Sequence, residues 1–365
     1  MMRIPSVLAS GLSCATLMLV LLAPALAQPP SSSATPPPLS LREGEVPVAD
    51  QSAEARQVAL REALLQVLVR NSGGGRIAED PLIRRSLADA PRLLLQHQYR
   101  QEVVSEPGSP PRLQLYLVAR FDGDGVDRLL DQAGIRLWQT DRPTTLLLVE
   151  IDDGRERRLI GESESGKLTA FHRRARLRAL PVIMPLLDLE EQIRLSPQAL
   201  GAGLRDVLDE MGRRYGAPAV LHGRVTRLGD LWVSRWTVTV NSDTQHWESM
   251  GELDHVLRAG ADGLGDALGQ RYALSAAERL GGTYRLWVSG LHAPADYPRL
   301  MRYLAGNALV RDVVSERADG DRLLLRVHAG ATLERLLQSL TLGFTLAHDP
   351  AAAPDAADAA LLLLP

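Results

Sequence analysis

Cysteine is almost absent from this 365-residue chain, and its single copy, Cys14, lies near the amino terminus. A protein that loses its first 27 residues would contain none. That excludes disulfide bonds, thiolate zinc sites and cysteine nucleophiles from the folded part. Hydrophobic residues make up 45% of the chain and charged residues 23%, so packed cores can supply the stability and global disorder is excluded.

An excess of charge of either sign is also missing. The chain has 41 Lys and Arg against 44 Asp and Glu, a formal net charge of -3. Proteins that bind nucleic acid carry a basic footprint, so this balance disfavours a nucleic-acid partner.

Motifs for catalysis and cofactor binding are missing as well. The chain has no G-x-S-x-G, and its eight histidines form neither H-x-x-x-H nor H-E-x-x-H. The acidic group Asp188, Glu190 and Glu191 is typical of a solvated connection. The sequence predicts no catalytic residue, no metal site and no cofactor. An enzyme with a dispersed active site stays as the alternative, because spatial constellations can be invisible in sequence.

Gly161–Lys167 has the G-x-x-x-x-G-K spacing of a phosphate-binding loop. Leu168 stands where that motif needs Ser or Thr to ligate magnesium, and Glu162 and Glu164 place negative charge where phosphates would lie. We interpret the segment as an exposed connection.

Asp122–Asp127 resembles the start of a calcium loop in composition only. Asp127 stands at the sixth position, where an EF-hand needs glycine, and Ala133 at the twelfth, where it needs glutamate. A helix capped at Asp124 or Gly125 is the better interpretation.

Residues 1–27 have the pattern of a secretory signal peptide. Arg3 supplies positive charge, an apolar run follows over Val7–Leu22, and Ala25–Ala27 fits an A-x-A cleavage site. We therefore predict a periplasmic protein with no stable membrane span after cleavage. Membrane anchoring and lipid attachment at Cys14 are the less favoured alternatives.

Composition and periodicity predict an α+β protein of three small domains after a Pro/Ser-rich linker at 28–40. The first domain, 41–140, has a helix from Asp50 to Gly73, a second helix at Asp80–His97, two strands at Tyr99–Ser105 and Leu113–Phe121 joined at Pro107–Pro110, and a helix at Gly125–Gly134.

The second domain, 141–278, is predicted as a βαβαβββα unit. Its predicted strands are Thr144–Ile151, Leu180–Leu186, Ala219–Leu228, Leu231–Val240 and Gln245–Met250. Its predicted helices are Leu168–Arg178, a helix capped by Ser196 that ends at Gly216, and Asp254–Tyr272.

The third domain, 279–365, is predicted as a split βαβ (ferredoxin-like) unit of order βαββαβ. Its last strand is either Gly343–Ala347 or Leu361–Leu364, with an Ala-rich acidic spacer at Ala351–Ala360.

The helix pattern from Ala55 to Gly73, A-x-x-x-A-x-x-x-A-L-x-x-V-L-V-R-x-S-G, resembles an uncharacterised proteobacterial family of exported proteins, a domain of unknown function. The resemblance extends through about Tyr272 and brings no catalytic residues. Ala219–Asp230 followed by Trp236–Val238 resembles the strand pair of the TolB amino-terminal domain, over about residues 144–275. Similar folds are implied for the curli secretion lipoprotein and for lipoprotein activators of penicillin-binding proteins. No propeller follows, so what the resemblance implies is an envelope adaptor domain.

Three tryptophans are the candidate interaction residues. Trp232 and Trp236 fall on one face of a strand, where packing against a helix competes with an exposed recognition stripe, and Trp247 is the third candidate. The sequence thus favours a non-catalytic accessory or adaptor protein that contacts another envelope protein. A periplasmic hydrolase is the alternative. An outer-membrane pore is disfavoured because charged residues interrupt the strands over 231–250.

Overall fold

The computed structural model describes residues 40–104, 110–138, 142–195, 197–241, 243–351 and 356–365, and leaves out the side chains of 197–204. The predicted signal peptide and nearly all of the linker lie outside these residues, as do most of the turn at Pro107–Pro110, the Ser196 cap and part of the spacer. Helices and three separate sheets confirm the α+β class.

The first sheet has the strand order β1-β3-β2 and is covered by one long helix, α1. The bounds are β1 Glu43–Val48, α1 Ala53–Ser72, α2 Pro81–Ser86, α3 Ala90–Leu93, β2 Leu94–Val104, β3 Arg112–Phe121 and α4 Gly123–Gln132. Ser52 caps α1, and Gly73 ends it in the left-handed region at φ 71. Leu60, Leu64 and Leu68 of α1 are buried on the sheet.

The predicted helix over Asp80–His97 is wrong. Two short helices occupy its first part, and β2 already begins at Leu94. Pro91 has no N–H to continue a helix and is placed in the first turn of α3, which ends two residues later, at Leu93. The edge strand β1 was not predicted.

The second sheet has the order β5-β4-β7-β8-β9, with β6 also paired to β4. Its strands are β4 Thr145–Asp152, β5 Arg157–Ile160, β6 Val182–Ile183, β7 Ala219–Leu228, β8 Leu231–Val240 and β9 Asp243–Gly251. Its helices are α5 Thr169–Leu177, α6 Leu189–Arg194, α7 Pro197–Arg214 and α8 Leu253–Tyr272. The predicted strand at Leu180–Leu186 is only two residues long, since β6 pairs with β4 only at Thr145 and Leu146. β5 was not predicted.

Trp236 is the centre of the core between this sheet and the helices α5 and α8. Its ring stacks on Phe171 of α5, with centroids 5.7 Å apart. A Cβ on Gly260 of α8 would lie 2.4 Å from the indole, and one on Gly223 of β7 would lie 2.2 Å from it. The ring therefore fits because the two facing positions carry no side chain.

We expect Gly260→Ala to lower the free energy of unfolding by about 1 to 3 kcal/mol, because its methyl group would collide with Trp236 in a packed core. Chemical denaturation followed by circular dichroism measures the change. Gly166→Ala is the matched control, since no atom lies within 4 Å of a Cβ there. Equal stability of Gly260→Ala and the native protein would contradict this packing.

The third sheet has the order β11-β12-β10-β14-β13. Its elements are β10 Gly282–Ser289, α9 Asp296–Ala305, β11 Val310–Asp319, β12 Arg322–Ala329, α10 Leu333–Leu340, β13 Leu346–His348 and β14 Ala359–Leu363. Both candidates for the last strand contribute one: β14 pairs parallel to β10, and β13 pairs antiparallel to β14. The parallel β14, inserted between β10 and β13, is a departure from the predicted βαββαβ order.

Two buried arginines, Arg70 and Arg178, and the partly buried Arg142 connect the end of α1 to the end of α5. Arg70, at the end of α1, donates from Nε to the carbonyl of Leu177 in α5 at 2.7 Å. Arg142 donates to the carbonyls of Arg70 and Arg178 at 2.6 and 2.8 Å, and Arg178 donates to the carbonyl of Gly73 at 2.8 Å. Burial, with neighbouring positive charges, lowers the pKa of Arg70 to about 10 and that of Arg142 to about 9.

Glu278 connects the segment that follows α4 to the helix α10. Its carboxylate accepts from Arg136, after α4, at 3.1 Å and from Arg335 of α10 at 2.8 Å. Burial acts to raise the pKa of Glu278, but hydrogen bonds from Ser275 and Arg335 outweigh it and hold the pKa at about 2. The domain boundaries near 140 and 278 stay a prediction.

Candidate functional site

The two faces of the second sheet are covered differently. On one face, α5 and α8 bury the inward residues of β4, β7 and β8, including Val149, Leu221 and Trp236. On the other face, Leu208 and Met211 of α7 pack only over the β4 and β7 half. Among the described residues, no helix covers the β8 and β9 half of that second face.

We call the uncovered area the open face. Strand register and the alternation of side chains define its members, which come from β7, β8 and β9. They are Arg224, Thr226, Leu228, Leu231, Val233, Arg235, Thr237, His246, Glu248 and Met250.

A buried acid lies at the border between the area that α7 covers and the open face. Glu150 of β4 is 2% exposed and His222 of β7 is 4% exposed, and His222 Nε2 lies 2.8 Å from Glu150 Oε1. Arg157 of β5 donates to the other carboxylate oxygen from Nε at 2.6 Å. The carboxylate thus has two partners from two neighbouring strands, and Arg224 is 3.8 Å away.

The pKa of Glu150 is depressed in spite of its burial. Burial acts to raise it, but the hydrogen bonds from His222 and Arg157 and their positive charge hold it at about 2. Glu150 is therefore an anion at neutral pH, with Arg157 and Arg224 as its cationic neighbours. Such an arrangement holds β4 against β5 and β7.

Cross-strand pairs form the middle of the open face. Thr237 and His246 are opposite each other, with Thr237 Oγ1 3.0 Å from His246 Nδ1. In the next row Arg235 Nε donates to Glu248 at 2.8 Å. Arg224 lies beside Arg235 in register. The exposed charge in this row is therefore predominantly positive, because the balancing Glu150 is buried.

One end of the open face is apolar. Leu228, Leu231 and Met250 are 67%, 43% and 61% exposed, and they come from the β7–β8 hairpin and from the end of β9. Val233 is opposite Met250 in register and is partly exposed. Large exposed side chains that cluster, rather than scatter singly, mark contact surfaces. We call these four residues the apolar patch.

The predicted tryptophans lie on the opposite face, under α8. Trp236 is 1% exposed and belongs to the core, so it cannot contact a partner. Trp232 and Trp247 are partly buried against the same core, and Trp247 Nε1 donates to the carbonyl of Ala259 at 3.1 Å. An interaction role for Trp232 and Trp247 stays a prediction.

The two motif-like segments are structural. Glu162–Leu168 forms a 3-10 helix, in which Lys167 pairs with Glu164. Asp122, not the predicted Asp124 or Gly125, caps α4, and its carboxylate accepts from the Gly125 N–H at 3.0 Å. Other charged groups of these segments pair outside them, since Asp127 binds Arg42 and Glu164 also accepts from Arg158.

The acidic group after β6 belongs to an ion-pair network. Arg214 of α7 donates to Asp188 at 2.7 Å and to Glu190 at 2.8 Å, while Glu191 is buried and accepts from the Tyr215 hydroxyl at 2.7 Å. The network ties α6 to α7. No group of three or more His, Cys, Asp or Glu that could hold a metal ion occurs in the described part of the chain.

None of the described helices is long and apolar enough to cross a bilayer.

Comparison with known proteins gives one family match and two remote structural likenesses. Residues 39–139 match a family model described as a domain of unknown function, DUF8605. The LpoB C-terminal domain from Salmonella enterica is 15% identical, with 31% of this chain and 84% of that chain covered and a TM-score of 0.22. A competence or damage-inducible protein from Enterobacter asburiae is 10% identical, with 40% and 94% covered and a TM-score of 0.23. No curated protein matches. Residues 39–139 thus resemble an uncharacterised family. The extension of that likeness to Tyr272 and the TolB-like middle domain stay predictions.

Proposed function

We propose that this protein is an exported periplasmic accessory or adaptor that acts without catalysis, by binding another protein of the cell envelope through the open face. The observation that carries the proposal is the apolar patch, which the fold holds in fixed positions and leaves in contact with solvent. Export rests on the signal-peptide pattern of residues 1–27.

The chemistry of the open face suggests what the partner presents. Apolar side chains would cover Leu228, Leu231 and Met250, since burying such groups drives association. Carboxylates would lie over Arg224 and Arg235, where the exposed charge is positive. An acidic segment with flanking apolar residues fits both regions. The three-domain organisation, with boundaries near 140 and 278, is part of this proposal.

The apolar patch can be tested with a photo-crosslinking amino acid at Leu231 in living cells. We expect a discrete protein adduct, and we expect the double variant Leu228→Ser, Met250→Ser to reduce it by about tenfold, because truncated contact residues at the centre of an interface often cost more than 1 kcal/mol each. Mass spectrometry of the cross-linked peptide should show an acidic and apolar segment.

The matched control places the same amino acid at Leu280, which is 82% exposed and lies outside the open face. Adducts of equal yield at Leu231 and Leu280, or an adduct at Leu231 that the double variant leaves unchanged, would reject the open face as the binding surface. Purified protein that turns over a substrate in the absence of a partner would reject the non-catalytic role.

A further inference from the structure

The strand β9 forms an unusually unprotected sheet edge. Edge strands are normally protected from pairing with other chains by short length, proline or bulges. β5 and β13 are four and three residues long, β1 contains Pro47, and β2 and β11 have register shifts. β9 has nine residues, no proline and continuous register with β8. Among the described sheet edges, β9 lacks all three forms of protection over its whole length, whereas β2 has its register shift at its first residues, Leu94/Gln96.

The side chains of β9 are complementary to a second copy of themselves. In an antiparallel pair centred on Trp247, His246 lies directly opposite Glu248 of the partner subunit, and the reverse pair forms by symmetry. Thr237 holds His246 through Nδ1, which leaves Nε2 for the partner's Glu248. A hydrogen bond from His246 Nε2–H to the carboxylate directly across the two strands would stabilise the pairing, and this register produces two such pairs.

The helix layer is also compatible with this pairing. Trp236 of β8 fits under Gly260 and Trp247 of β9 fits under Gly263, so α8 runs over these two strands. Strands are about 4.8 Å apart, and the two copies of α8, two strand spacings apart, would be separated by about 9.6 Å. Packed helices have axes about 8 to 10 Å apart. α8 carries the small residues Ala259 and Gly263 next to Trp247, which permits this approach.

We propose that the protein forms a symmetric homodimer in which the β9 strands of two copies pair antiparallel about Trp247 and join the two second sheets into one. Of the apolar patch, only Met250 lies in β9, while Leu228, Leu231 and Val233 lie outside the contact. The dimer therefore presents two open faces on the same side of the joined sheet. This inference does not depend on the proposed function.

Analytical ultracentrifugation of the full chain over a concentration series tests the dimer. We expect the native protein to reach twice the monomer mass, and Glu248→Arg to raise the dimer dissociation constant by about tenfold or more, because arginine would then face the partner's His246. The double variant His246→Glu, Glu248→Arg restores opposite charges and should recover the dimer. Asp319→Arg is the matched control: Asp319 ends the edge strand β11, and its side chain is 67% exposed against 64% for Glu248.

Disulfide cross-linking tests the register of the two β9 strands. In a Cys14→Ser background, His246→Cys protein mixed with Glu248→Cys protein should form a disulfide-linked dimer under mild oxidation, while each variant alone should give far less, because only residues 246 and 248 are opposite. A native protein that stays monomeric throughout the concentration series overturns the proposal. So does a dimer that gives no preferential disulfide in the mixture, or one that Glu248→Arg and Asp319→Arg weaken equally.

Discussion

Replacing Trp236 by alanine is expected to lower the free energy of unfolding by about 3 to 5 kcal/mol, the range for removing a large aromatic side chain from a core. The indole is 1% exposed and stacks on Phe171. The facing Gly223 and Gly260 cannot fill the space, because they have no side chains. The cavity would separate β8 from both helices that cover it.

Urea denaturation followed by far-ultraviolet circular dichroism measures this loss. Trp232→Ala is the matched control, because Trp232 lies on the same strand and face but is only partly buried. We expect Trp232→Ala to lower the free energy of unfolding clearly less than Trp236→Ala does. If the two variants were equally stable, Trp236 would not be the centre of this core.

Removing the charge of Glu150 is expected to lower the free energy of unfolding by about 3 kcal/mol at neutral pH. Glu150→Leu would leave His222 buried without its acceptor and would take the carboxylate from Arg157. Breaking a buried ion pair from one side costs about 3 to 5 kcal/mol, and the partial exposure of Arg157 places the expected value at the lower end. The double variant Glu150→Leu, His222→Leu should cost less than the sum of the single variants, because the partners share one interaction.

The pH dependence of this cost follows from the depressed pKa of Glu150. The carboxyl has a pKa of about 2 in the folded protein against a usual value of 4.5. Its stabilisation is therefore complete above pH 4.5 and is lost as the pH falls through about 2. The stability difference between the native protein and Glu150→Gln should shrink over that interval. A difference that stays constant between pH 7 and pH 2 would show that the charge does not stabilise the fold.

The fold was predictable where local signals agree. The bounds of β7 and β8 were predicted to the residue, because two β-rich runs are separated by Gly229 and Asp230. The helix predicted at 80–97 failed because its apolar residues fit either period, and only pairing with β3 selects a strand from Leu94. The order of β13 and β14 depends on a parallel pairing that links residues more than 70 positions apart, which no local pattern specifies.

The open face was not predictable from sequence. Its members come from three strands, and only the register brings Thr237 beside His246 and Leu231 near Met250. A signal did exist for Glu150, which is the one charged residue in the apolar run Thr145–Ile151. Its partner His222 is 72 residues away, so the pair could not be recognised before the sheet order was known.

The glycines of α8 that allow neighbouring groups to pack closely also lower the stability of this helix on its own. Gly260 and Gly263 face tryptophans, Gly265 faces Arg178, and Gly269 contacts Gly73. In a helix interior each costs about 1 kcal/mol relative to alanine, so α8 on its own is a poor helix. Its helicity therefore depends on tertiary packing. The strands β7 and β8 and the ring of Trp236 supply the surface against which α8 is stable as a helix.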